Sequence, residues 1–250
     1  MALLSIQLGT EPFLRRAAVA LVITLLFAST ARWMRGVSRS GAWAGAAVTF
    51  ALYVSAGLGA FAALVSVFLL AFGATRFGYS RKQRLGTAET RDGRSWSQVL
   101  ANLGVGTAAA FLSKIRGGDA VLLLAMAAAF AEAVADTVSS EYGQARSRSA
   151  RLITTGETVP AGTDGGVTLG GTGAGALGAF IVSAVCAVTG LIPWKWTAIA
   201  MFAAIFGMLI DSVLGASFEQ RKILDNDRVN FLGTLTAAVV AVALGSGFGR

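Results

Sequence analysis

The chain contains no histidine and a single cysteine, Cys186, and only 14% of its 250 residues are charged. Without histidine there is no Ser-His-Asp or Cys-His nucleophilic machinery, no imidazole zinc site and no histidine-ligated haem. A lone cysteine in an apolar run gives no disulfide framework within the chain. Any chemistry must rest on carboxylates, Lys and Arg, hydroxyls, amides and the backbone. The scarcity of charge accompanies 55% hydrophobic residues and a positive mean hydropathy of +0.67. A soluble domain of this size carries more charge and shorter apolar runs.

The long uncharged runs read as membrane helices, each needing about 20 apolar residues. The expected fold is an all-α polytopic integral membrane bundle, a single domain over 1–250. About eight spans lie near 15–31, 41–57, 58–75, 97–113, 119–142, 169–190, 196–217 and 231–248; the count falls to seven if one is miscounted. Arg15 and Arg16 before apolar 17–28 resemble the start of a signal peptide, but the segment is read as the first span. Gly57 and Gly59 suit a tight turn between spans two and three. With loops assigned alternately to two sides, 15 of the 21 basic residues fall on one side. That excess marks it as cytoplasmic, in a bacterial-type inner membrane, with both termini on the other side together with Arg250. The net charge of +8 then reflects topology and anionic membrane lipid, and no nucleic-acid partner is expected.

Two spans carry acids. "AVLLLAMAAAFAEAVADTVSSEYG" (120–143) puts Glu132 and Asp136 four residues apart on one helix face, with Glu141 near the cytoplasmic end. "MFAAIFGMLIDSVLGASF" (201–218) carries Asp211. Carboxylates in hydrocarbon normally pair, line water or bind cations. Structural pairing with Arg or Lys, an ion or proton pathway, and a magnesium site are the three options. Asp136, Glu141 and Asp211 all lie toward the same membrane face as loops 76–96, 143–168 and 218–230, and this clustering favours the magnesium site; oxygen ligands suit a hard cation.

Between these spans lies "TTGETVPAGTDGGVTLGG" (154–171). It lacks the G-K-[ST] ending of a Walker A loop. Glycines nevertheless let backbone N–H groups approach an anion, and a following helix N-terminus favours one. Gly162, Gly165 and Gly166 are therefore read as a phosphate loop with Thr163 and Thr168 as hydroxyl donors. Asp164 would repel phosphate unless a divalent cation stands between them. Gly171, Gly175 and Gly178 have helix-packing spacing.

"RLITTGETVPAGTDGGVT" (151–168), "ADTVSSEYG" (135–143), "RSWSQVLANLG" (94–104), "IDSVLGA" (210–216) and "ILDNDRVN" (223–230) together resemble the transmembrane protein 19 family, also called domain of unknown function 92, which includes a chloroplast phytyl-phosphate kinase. The resemblance implies a kinase that uses a nucleoside triphosphate, CTP-like, to convert an isoprenyl monophosphate into a diphosphate. By position it carries over Asp136, Ser140, Glu141 and Gly143; Gly162, Thr163, Gly165 and Gly166; Arg94, Gln98 and Asn102; Asp211 and Ser212; and Asp225, Asn226 and Asn230. Asp164 stands where asparagine is expected, and Glu132 is not a motif position.

Phosphoryl transfer needs positioning and charge neutralisation. The expectation is that Asp136, Glu141 and Asp211 hold Mg²⁺, that residues 162–166 cradle donor phosphates, and that some of Arg81, Lys82, Arg84 and Arg94 neutralise donor or acceptor phosphate. The prenyl phosphate lipid would lie between spans, with "GTAAAF" (106–111) and "AMAAAFAEA" (125–133) able either to leave a groove for it or to pack helices closely. A transporter of an anionic or phosphorylated solute is the alternative, although no convincing repeat is present. The D-G-x-x-A-R signature of a CDP-alcohol phosphotransferase is absent. The sequence leaves tail length, nucleotide base, number of metals and oligomeric state open.

Overall fold

The computed structural model describes residues 13–248; Arg250 and the chain ends lie outside the described residues. The elements are α1 (Phe13–Trp33), α2 (Arg39–Arg76), α3 (Tyr79–Leu85), α4 (Trp96–Ile115), α5 (Ala120–Arg146), β1 (Ser149–Leu152), β2 (Thr158–Pro160), β3 (Gly166–Val167), α6 (Leu169–Val188), α7 (Thr197–Leu214) with a π-helical turn Gly215–Glu219, and α8 (Asn226–Phe248). The protein is an all-α polytopic membrane protein.

Six of the described helices are long and apolar enough to cross a membrane, against about eight spans expected. Two features account for the difference. First, the spans expected at 41–57 and 58–75 are one element, α2, broken at Gly57, whose φ of 72° and ψ of −155° leave the helical region. A straight helix of this length would carry its ends roughly 57 Å apart. Instead Arg76 donates to the Met34 carbonyl at 3.2 Å, a few residues before α2 begins, so α2 folds back as a hairpin. Only glycine adopts such a φ cheaply. Second, α4 begins with Ser97, Gln98 and Asn102, which dilute its apolar content.

α5 is the hub and packs against α2, α4, α6, α7 and α8. Its residues from Leu124 to Ala135 are all buried, as expected of a helix apolar on every side. The alanine-rich run lets neighbours approach closely. Thus "GTAAAF" and most of "AMAAAFAEA" pack helices, and only Ala133 at the end of the second run borders an open cleft: a Cβ at Gly106 would stand 2.5 Å from the Phe130 ring. The α6 glycines do the same on the opposite side of α5, where a Cβ at Gly175 would meet the Ala135 carbonyl oxygen at 2.5 Å. Gly175→Val is therefore expected to destabilise the protein by about 1–3 kcal/mol, read as a lower thermal midpoint in detergent. An unchanged midpoint would mean that α5 and α6 can part there.

All the loops assigned to the basic side meet at one end of the bundle. Ser38 N–H donates to the Arg94 carbonyl at 2.9 Å, Arg81 donates to the Ser147 carbonyl at 2.7 Å, and the Gly165 backbone abuts Ser212 and Ala216. At this basic end, residues 149–167 form a small antiparallel sheet in the order β2-β1-β3, with Ala150 opposite Val159 and Arg151 opposite Val167. The expected loop is thus a structured strand cluster.

Candidate functional site

Two cavities open at the basic end. The first, about 160 Å³, is polar and is bounded by α5, the glycine segment, the end of α7 and the start of α8. Of the residues singled out from the sequence, it gathers Asp136, Ser140, Gly143, Gly162, Thr163, Asp164, Gly165, Gly166, Asp211 and Asn226, together with Thr168 and Ser212. Asp136 and Asp211 are close neighbours on the cavity wall. Two ionised carboxylates can only accept, and Asp211 Oδ2 is buried without a donor. Asp136 and Asp211 bring hard oxygens to the wall of a polar cavity, a donor type that fits a cation such as Mg²⁺, and the orphaned Oδ2 lies near Gly233 on the α8 side. Among the described residues no group of three or more His, Cys, Asp or Glu is gathered as a metal site.

The glycine segment is held by backbone contact. Gly162 and Gly165 have φ of 95° and 75°, and a Cβ at Gly165 would stand 2.5 Å from the Ala216 amide nitrogen and 2.6 Å from the Ser212 carbonyl oxygen. Glycine is required there both for conformation and for approach. Thr168 caps α6, accepting from Gly171 N–H at 3.0 Å, so the α6 N-terminus faces this end of the molecule. Gln220 donates to the Asp164 carbonyl at 2.7 Å, and partial burial pushes the Asp164 carboxyl above its ordinary range.

Several expected site residues are elsewhere. Glu141 is not beside Asp136 and Asp211 in the cavity: it pairs with Lys82 Nζ. Lys82 is fully buried and also donates to the Ala74 and Thr75 carbonyls at 3.1 and 2.8 Å. It is a tie between α3, the end of α2 and α5, not an open phosphate ligand. Arg81 is spent on Ser147 and Arg84 is exposed, outside both cavities. Asp225 caps α8 by accepting from Arg228 N–H at 2.9 Å. Asn230 is buried one turn into α8 and does not line the polar cavity. Glu132, 1% exposed, lies deeper than Asp136, with an unpartnered Oε1 pressed against Gly233.

The second cavity, about 330 Å³, is a mostly apolar cleft between α1, both legs of α2 and α4. It reaches the size of small-molecule pockets, roughly 300–1,000 Å³. Arg35, Arg76, Arg91 and Arg94 stand at its mouth, and Gln98 and Asn102 lie inside it. Arg94 reaches from the cleft toward the acids of α5. It lines the cleft, donates to Thr137 Oγ1 at 3.2 Å, and lies within electrostatic range of Asp136. Gln98 closes a capping box with Ser95 and donates to Glu89 at 3.1 Å. Asn102 donates to the Gln98 carbonyl at 2.9 Å.

Sequence reasoning missed Glu219, Gln144 and Ser139 in the polar cavity, and Arg35, Arg76 and Arg91 at the cleft. Glu219 is brought in by the π-helical turn, since a regular helix would turn it about 80° away from Asp211. The arginines read as ordinary positive-inside charges. Only the convergence of α1, α2 and the 86–95 loop distinguishes them.

Fold and cavity together define a polytopic helical membrane protein with an acidic, glycine-rimmed site at one end of its bundle. The chain belongs to the family described as integral membrane protein DUF92, whose model matches residues 22–238. It is 32% identical over 240 residues to Protein VTE6, chloroplastic, of Arabidopsis thaliana, covering 92% of this chain and 71% of that protein. It is 32% identical over 241 residues to an uncharacterised membrane protein of Methanocaldococcus jannaschii, covering 95% and 98%. A Synechocystis membrane protein, also uncharacterised, is 28% identical over 197 residues, covering 77% and 76%. No solved structure matches significantly.

Proposed function

We propose that the protein is a membrane-embedded kinase that transfers a phosphoryl group from a nucleoside triphosphate, CTP-like, to a prenyl monophosphate such as phytyl phosphate. The basic end would face the cytoplasm of a bacterial-type inner membrane. The observation that carries this reading is the position of Arg94 between an acidic, glycine-rimmed cavity and an apolar cleft with a basic mouth. Family membership, and the resemblance to a group containing a phytyl-phosphate kinase, support the same reaction.

In this mechanism the polar cavity takes the phosphate end of the nucleotide. At about 160 Å³ it is smaller than pockets that enclose whole ligands, so the nucleoside lies outside it. Asp136 and Asp211 would hold Mg²⁺, which when bound neutralises charge on the donor phosphates. Thr163 and Gly166 N–H groups are already bonded to the Pro160 and Thr163 carbonyls, so the N–H groups of Gly162, Asp164 and Gly165 and the α6 N-terminus would face the same phosphates. The lipid's phosphate sits at Arg94, with Arg35, Arg76 and Arg91 around it. A phosphate oxygen of the lipid attacks the terminal phosphorus of the nucleotide; the bond from that phosphorus to the bridging oxygen breaks, and nucleoside diphosphate leaves. The acceptor is already ionised near neutral pH and needs no general base, which suits a site without histidine.

The test is purified protein with Mg²⁺, labelled nucleoside triphosphate and prenyl monophosphates from C10 to C20, with a labelled prenyl diphosphate as the expected product. No diphosphate, combined with anion flux in proteoliposomes, would favour a transporter. Arg94→Ala is expected to lower kcat/KM by about 100-fold, as removal of one preorganised charge-stabilising group does. Arg94→Lys should recover only part of this, because a point charge replaces a bidentate fork. Parental kinetics in Arg94→Ala would remove Arg94 from the site.

A further inference from the structure

We propose that the apolar cleft measures the hydrocarbon tail of its lipid and that Gly45 is the residue that sets the measure. The inference rests on the prenyl-phosphate reading above and adds where the tail lies and what limits it. The cleft runs down from the arginine mouth between the legs of α2. The α2 lining residue farthest from the mouth is Leu64, twelve residues before Arg76, or about 18 Å at 1.5 Å per residue. Phe27 stands at the same depth, edge-on to Phe61 and Phe68 with ring centroids 5.5 Å away. Gly45 is six residues into α2, about 9 Å below the helix start, and so lies halfway down. It lines the cleft, and a Cβ built on it meets no atom within 4 Å. Its missing side chain is therefore open cleft, unlike the packing glycines Gly106 and Gly175.

The occupant follows from the walls. Four arginines at the mouth select an anionic head, and Phe27, Leu64, Val67, Phe68 and Leu103 below them select hydrocarbon. Access for a tail is lateral. Among the described residues α1 packs substantially on α2 alone and has no comparable interface with α4, so the cleft is flanked on that side by a peripheral helix. A larger side chain at Gly45 would divide the cleft, leaving the upper half for a short tail and closing the lower half to a long one.

The experiment uses the full chain in nanodiscs and two readouts: equilibrium binding of C10, C15 and C20 prenyl monophosphates, and diphosphate formation from each. Gly45→Leu is expected to weaken C20 binding and lower its kcat/KM about tenfold or more, the scale of steric discrimination in apolar pockets, while C10 stays within twofold. Gly45→Ala and Gly45→Val should give a graded series and cover the case in which Gly45→Leu does not fold. Gly73→Leu is the control, on the same element, with open surroundings and outside the cleft lining; it should leave the length preference unchanged. Equal loss for all tails, an unchanged C20 value in the folded variants, or a co-purified phospholipid that prenyl phosphates do not displace would overturn the proposal. If the parent binds tails in a length-dependent, Gly45-sensitive way but forms no diphosphate, the kinase reading fails and the tail site stands.

Discussion

Asp136→Asn and Asp211→Asn are each expected to lower diphosphate formation by about 100-fold or more, the loss that follows removal of one preorganised charge-stabilising group. They should do so without unfolding the protein. Asp211 is 9% exposed, its Oδ2 has no donor, and Asp136 faces it. Two neighbouring acceptors, Asp211 buried and Asp136 half-buried, are an unfavourable arrangement for stability alone. An amide in either position supplies the missing donor at nearly constant volume. The thermal midpoint of each variant should therefore hold or rise while activity falls, the signature of a site that trades stability for function. A lowered midpoint with proportionate loss of activity would make the pair structural, and parental activity in both variants would sink the cation assignment.

Lys82→Met should be the most damaging substitution at the basic end, by about 3–5 kcal/mol, because it strands a buried partner. The Lys82 ammonium answers the Glu141 carboxylate and two carbonyls at the end of α2, where the helix dipole also favours a cation. Removing it leaves three acceptors without their donor and frees α3 from the bundle. Glu141→Gln should cost less, since an amide still accepts from the ammonium. Adding Glu141→Leu to Lys82→Met should restore part of the loss by removing the stranded carboxylate. Chemical unfolding in detergent and limited proteolysis within 76–96 read this directly. A Lys82→Met protein with the parental midpoint and uncut loop would contradict it.

Much of the bundle was legible because membrane helices announce themselves by length, and the Gly57 turn because a glycine between two apolar runs has few other uses. The acids of α5 and α7 were legible as a pair, since apolar surroundings make any carboxylate conspicuous. The direction of Glu141 was legible and its partner was not. Glu141 is five residues from Asp136, and helical geometry turns it well around the axis, but only the fold reveals Lys82 waiting there. The strands at 149–167 have four, three and two residues, too short for a period-2 pattern to register. The cleft was invisible for another reason: its walls come from α1, α2, α3, α4 and α5, and no stretch of sequence carries a cavity shared by five helices.

The seat of Gly165 on Ser212 and Ala216 bears on thermodynamics of binding. A glycine-rich segment free in solvent would lose a great deal of conformational freedom on closing around an anion. Here that freedom is already surrendered when β1, β2 and β3 pair and the turn docks on α7. Phosphate binding at the proposed site would then carry little ordering entropy, so its affinity should respond mainly to salt and to charge at Asp164 and Glu219, which line the cavity.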